Sequence, residues 1–136
     1  MTFRKVTLIA AVCVLALPFT ASAKNMKPGK WSMTFEMSGG NGPMAGHQFT
    51  MERCITPQEA SSNEPPKARQ DSQCKVADIK VDGNTVSWKL TCAQGVSGEG
   101  SATYSGDSYS GVSHIKMNGA EFTQKFSGKY VGPCEK

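Results

Sequence analysis

The chain has 136 residues, with 15 Lys and Arg against 11 Asp and Glu, and 38% hydrophobic residues. That is the length of one domain, and a formal surplus of +4 spread along the sequence is not the clustered basic face that nucleic-acid binding requires. Two histidines without a clustered carboxylate partner give no metallohydrolase pattern, so no cofactor is expected.

At the amino end, Arg4 and Lys5 precede an apolar run from Val6 to Phe19, broken at Pro18 and followed by Ala21-Ser22-Ala23. Small residues at that spacing mark a secretory cleavage site, and the run falls short of the ~20 apolar residues that span a bilayer. Residues 1–23 are therefore read as a cleavable signal. Residues 24–136 then form a single domain, periplasmic or secreted, with no membrane span after cleavage. Loss of the signal takes the 15 basic residues to 13 against 11 acidic ones, because Arg4 and Lys5 leave with it. Cys13 leaves too. The remaining Cys54, Cys74, Cys92 and Cys134 are an even set in an exported chain and read as two disulfides. A thiolate zinc site would call for close C-x-x-C pairs, which are missing.

From Lys30 the apolar residues alternate, with Trp31, Met33, Phe35 and Met37 on one face and Ser32, Thr34 and Glu36 on the other. This is a half-buried strand over 30–37. After a glycine-rich loop from Ser38 to Gly46, a second strand over 47–54 puts His47, Phe49 and Met51 on one face, and the two are expected to pair. Thr56-Pro57-Gln58-Glu59 is a capping box with proline at the first helical position and predicts a short helical turn. The polar stretch that follows, with Pro65 and Pro66, reads as a surface loop through Gln73.

Three hairpins come next. A turn at Gly83-Asn84 predicts Val81 opposite Val86, Ile79 opposite Trp88 and Ala77 opposite Leu90. Gly106-Asp107 sets Tyr104 opposite Tyr109. Asn118-Gly119 sets Met117 opposite Ala120, Ile115 opposite Phe122 and Gly111 opposite Phe126, with Lys116 against Glu121 on the other face. The remaining strands are predicted at 75–81, 85–92, 98–105, 108–117 and 120–130. The fold class is thus all-β: an antiparallel meander of about seven strands curling into a small barrel or sandwich, with one short helical turn and two disulfides. The barrel-like form is the expectation, with Gly111 and Gly128 suiting bends and an incompletely filled interior. Four cysteines allow three pairings. The hairpin register favours Cys74 with Cys92, and hence Cys54 with Cys134. Strict alternation puts Cys74 and Cys92 on opposite faces, so that bridge requires a bulge or a frayed end.

Several pieces together resemble a known bacterial family, the domain of unknown function 3617. They are Lys27-Pro28-Gly29-Lys30-Trp31, Cys54-Ile55-Thr56-Pro57, Cys74-Lys75-Val76, Gly83-Asn84-Thr85-Val86, the run from Tyr104 to Gly111, and Ser127 to Cys134. The resemblance spans nearly all of the chain after the signal. It implies a short exported protein, with no activity attached and no catalytic residues to carry over.

The residues offer little for catalysis. Gly95-Val96-Ser97-Gly98-Glu99-Gly100 misses the nucleophile-elbow spacing and is no phosphate cradle. Asp82 and Asp107 lie at turns, where aspartate bonds its own backbone. His114 falls on the outer face beside Thr123. The expected function is therefore a non-enzymatic binding module for a small apolar ligand or an envelope partner protein. An apolar ligand calls for a cavity lined by Met33, Phe35, Phe49, Trp88, Ile115 and Phe126. The alternative is soft-metal binding, with copper held by Met44, His47 and Met26, since thioether and imidazole ligands suit Cu(I). Most other methionines fall on apolar strand faces, where they are ordinary core filler.

Overall fold

The computed structural model describes residues 26–40, 45–65 and 73–135. The signal read at residues 1–23 and the candidate ligand Met44 lie outside those residues. Seven strands form one antiparallel sheet: β1 (Gly29–Ser38), β2 (Gln48–Ile55), β3 (Cys74–Asp82), β4 (Thr85–Cys92), β5 (Ser97–Tyr104), β6 (Ser108–Met117) and β7 (Ala120–Gly132). Their order across the sheet is β2-β1-β7-β6-β5-β4-β3. Consecutive strands are neighbours in the sheet everywhere except β2 and β3. β1 and β7 pair in the interior of the sheet, and β2 and β3 are its two edges.

Local sequence accounts for most of this. In β1 the alternation buries Trp31, Met33 and Phe35 and leaves Ser32, Thr34 and Glu36 on the far face. Asn118 and Gly119, both at positive φ (50° and 79°), make the two-residue turn whose twist matches its flanking strands. The predicted pairs Met117–Ala120, Ile115–Phe122 and Gly111–Phe126 all form, as does Tyr104–Tyr109. The short helix α1 (Pro57–Ser61) has the full capping box. The Glu59 N–H donates to Thr56 Oγ1 at 3.2 Å, and the Thr56 N–H donates to the Glu59 carboxylate at 3.0 Å.

Three expectations are corrected. The sheet does not close into a barrel. It stays open between β2 and β3 and is sandwich-like, because those edges run in the same direction and closure would need one parallel pair in an otherwise antiparallel sheet. Of the three pairs predicted from the Gly83-Asn84 turn, only Val81–Val86 forms. Between Ala77 and Lys80 the register slips, so that Val76, not Ala77, faces Leu90, and Asp78 takes a φ of 51°. The slip brings Cys74 directly opposite Cys92, with Cα atoms 3.9 Å apart. The second bridge joins Cys54 to Cys134 with Cα atoms 5.7 Å apart, tying the end of β2 to the tail after β7 across Lys30 of β1.

The third correction concerns glycine. Gly100, Gly111 and Gly128 lie directly opposite Trp88, Phe126 and Tyr109. They are seats for those rings rather than bends beside empty space. A Cβ at Gly100 would come within 2.8 Å of Trp88 Cζ2, one at Gly111 within 2.3 Å of Phe126 Cζ, and one at Gly128 within 2.1 Å of Tyr109 Cε1. The aromatic side chains therefore lie across neighbouring strands and fill the apolar face. Ring centroids stand 5.6 Å apart for Trp31–Tyr109 and 6.1 Å for Trp88–Phe126.

Candidate functional site

The apolar face is a filled core. Met33 and Val86 are fully buried, and Phe35, Trp88 and Phe126 are nearly so, in one cluster with Trp31, Tyr104, Tyr109, Ile55 and Ala60. Of the six residues proposed to line an interior cavity, these three aromatics and Met33 are packed against one another. Ile115 is half-buried, and Phe49 is 43% exposed at the sheet edge, stacked on Phe35 at 5.0 Å. Among the described residues, clefts of about 570, 390 and 360 Å³ lie along the other, polar face, and Trp88 and Phe126 each help line one of them.

One end of the core is polar. Arg53, on the apolar face of β2 opposite Trp31, is mostly buried and ion-paired with Glu59 of α1. The same carboxylate caps the helix, so Glu59 fastens α1 to the sheet at two points. Nearby Tyr109 is 3% exposed and its hydroxyl has no hydrogen-bond partner among the described residues. Burial pushes the Tyr104 and Tyr109 phenols far above the ordinary tyrosine value, so both stay neutral.

The polar face is ordered in rungs that run across the strands. One continuous rung is Thr50–Thr34–Ser127–Ser110–Thr103–Thr85, ending on Asp82 of β3. At its two ends the hydroxyls touch, Thr34 with Thr50 at 3.0 Å and Thr85 with Thr103 at 2.9 Å. A second rung alternates in charge: Lys89 faces Glu99, which faces His114, whose Nδ1 lies 3.3 Å from Thr123 Oγ1. Asp78 meets Lys89 at 3.3 Å and Lys116 meets Glu121 at 3.0 Å, the latter as the turn predicts. Lys27 and Lys30 are raised above the usual lysine value, each chiefly by the hydrogen bond it gives to Asp107 or Glu52. These pairs are exposed and balanced in sign. They suit a solvated sheet face and make no catalytic pair.

Of the candidate metal ligands, the two that are described, Met26 and His47, do not converge. Met26 is buried in a bridge to Gly106 before the start of β1, whereas His47 is exposed opposite Met37 near its far end. The intervening strand puts them on the order of 25 Å apart. Among the described residues no group of three or more His, Cys, Asp or Glu could hold an ion, and no helix is long and apolar enough to cross a membrane.

The two sheet edges differ in a way that strand periodicity alone does not announce. β3 carries the bulge at Asp78 and the charges Lys75, Asp78, Lys80 and Asp82, devices that discourage strand addition. β2 pairs with β1 without a break over Gln48–Ile55, and Gln48, Phe49 and Thr50 are all exposed. The Met37 N–H donates to the His47 carbonyl and the Gly46 N–H to the Met37 carbonyl. Alternation from there makes Phe49, Met51 and Arg53 the residues bonded to β1, so the main-chain groups of Gln48, Thr50 and Glu52 point to the free side. The available signal was compositional: β2 holds charge only at Glu52 and Arg53, and both are already paired, with Lys30 and Glu59.

The family described as Protein of unknown function (DUF3617) matches residues 26–134. That span covers most of the chain, so the protein belongs to this family. No curated protein and no solved structure matches it.

Proposed function

We propose that this family member is an exported, non-enzymatic binding module that takes a partner protein at the free edge of β2 rather than an apolar molecule in its interior. The observation that carries the reading is the contrast between edges: β3 is guarded by bulge and charge, and β2 offers an unbroken row of main-chain donors and acceptors beside exposed Phe49. Strand addition at such an edge draws affinity from main-chain bonds and specificity from alternate side chains. The ring-on-glycine packing leaves the interior poorly suited to a ligand. Two disulfides fit an oxidising compartment, and with the signal-like amino end they support the periplasm or the exterior as the site of action.

Native mass spectrometry of protein drawn from the bacterial envelope without refolding tests this. The expected mass per subunit is that of the chain from Lys24 less four hydrogens, with no small-molecule increment. A retained lipid or other organic molecule would overturn the reading in favour of an enclosed apolar ligand, and a copper increment would favour metal handling.

A further inference from the structure

Resting on that reading, we infer that the strand β2 accepts is β2 of a second copy of this chain, run antiparallel about an axis through Thr50. The self-complementarity is in the sequence of the edge. Odd-numbered residues of β2 face the apolar side and even-numbered ones the polar side. A two-fold axis keeps each face continuous only if it passes through a residue rather than between two.

An axis through Glu52 would oppose two carboxylates. One through Met51 would bring Gln48 against Cys54, which is tied to Cys134, and Phe49 against Arg53, which is tied to Glu59. The axis through Thr50 opposes no two carboxylates and takes Phe49 away from Arg53, which falls instead opposite the partner's His47 at the end of the pairing. It puts Phe49, 43% exposed, opposite the partner's Met51 twice over, and Gln48 opposite the partner's Glu52, a neutral amide against a carboxylate. Thr50 meets its own copy, so the hydroxyl rung that crosses six strands of one sheet runs on into the next. Because the free main-chain groups belong to Gln48, Thr50 and Glu52, this register makes Thr50–Thr50 a doubly hydrogen-bonded pair flanked by two Gln48–Glu52 pairs. The joined sheet has fourteen strands and ends on β3 at both sides, so its outer edges are the guarded ones and the association closes at two.

Sedimentation of the full chain across the micromolar range is expected to show a dimer. Thr50→Pro should give a monomer with unchanged near-ultraviolet circular dichroism, because the lost N–H is one that β1 does not use. A wild-type monomer throughout, or a Thr50→Pro protein as dimeric as the parent, overturns the inference. Photo-crosslinking in the envelope from a benzophenone amino acid in place of Gln48 separates this from the broader reading. A product of twice the chain mass supports the second copy. A product of any other mass overturns the self-pairing and leaves edge binding standing, and no product from a folded, exported variant overturns both.

Discussion

Tyr109 lies across Gly128 with its hydroxyl buried and unbonded. Leaving such a group without a partner costs about 1–3 kcal/mol, so Tyr109→Phe should be at least as stable as the parent in neutral urea titrations. Its effect changes with pH. Unfolded tyrosine ionises near pH 10, whereas burial raises the folded value; above pH 10 the unfolded state releases its proton first and the native state loses stability as pH rises. The phenylalanine variant should show a shallower alkaline decline. Gly128→Ala would force a methyl into the Tyr109 ring and is expected to cost about 1–3 kcal/mol, read as a lower denaturation midpoint at unchanged slope. The buried positions themselves are legible from alternation in Trp31, Met33 and Phe35. The role of the glycines is not, because it depends on rings bending over to the next strand. The available clue was register: each glycine sits directly opposite an aromatic residue.

Edge strand β3 records a conflict between two signals. Alternation favours Ile79 opposite Trp88 and Ala77 opposite Leu90, but a cystine between facing strands needs Cys74 opposite Cys92, and the difference of one residue is absorbed at Asp78. Ile79, inside the slip, loses its place opposite Trp88 and is 40% exposed. Replacing both cysteines by serine should let the bulge heal and bring Ala77 opposite Leu90, seen as cross-strand nuclear Overhauser contacts from Ala77 in place of Val76. Retention of the Val76–Leu90 pairing would show that the bulge has another cause. Elements governed by neighbours were readable in advance: the capping box of α1 and the turns at Gly106-Asp107 and Asn118-Gly119 specify themselves. The bulge was foreseen as a need but not located, since no residue near Asp78 advertises it.

At the scale of the molecule, the pairing of β1 with β7 had no local signal, and it turns a string of hairpins into one sheet. It joins Lys30 to Gly132 and is reinforced by the bridge from Cys54 to Cys134, 80 residues apart in sequence. The other bridge closes a loop of only 18. On loop-closure entropy the longer bridge contributes about 4–5 kcal/mol and the shorter about 3, so Cys54→Ser with Cys134→Ser should lower unfolding stability more than removal of Cys74 and Cys92. The long bridge also has a temporal consequence. A chain made from its amino end presents Cys54 to Cys74, twenty residues on, long before Cys134 exists. That shorter loop is entropically cheaper by about 1 kcal/mol, two doublings of length at about 0.6 each. Oxidation that begins before Cys134 is available would therefore favour a wrong partner for Cys54, and maturation would then become a matter of reshuffling. Reoxidation of the reduced chain should accumulate a Cys54–Cys74 species that a disulfide isomerase clears, making the yield of native protein a measure of the isomerase activity around it.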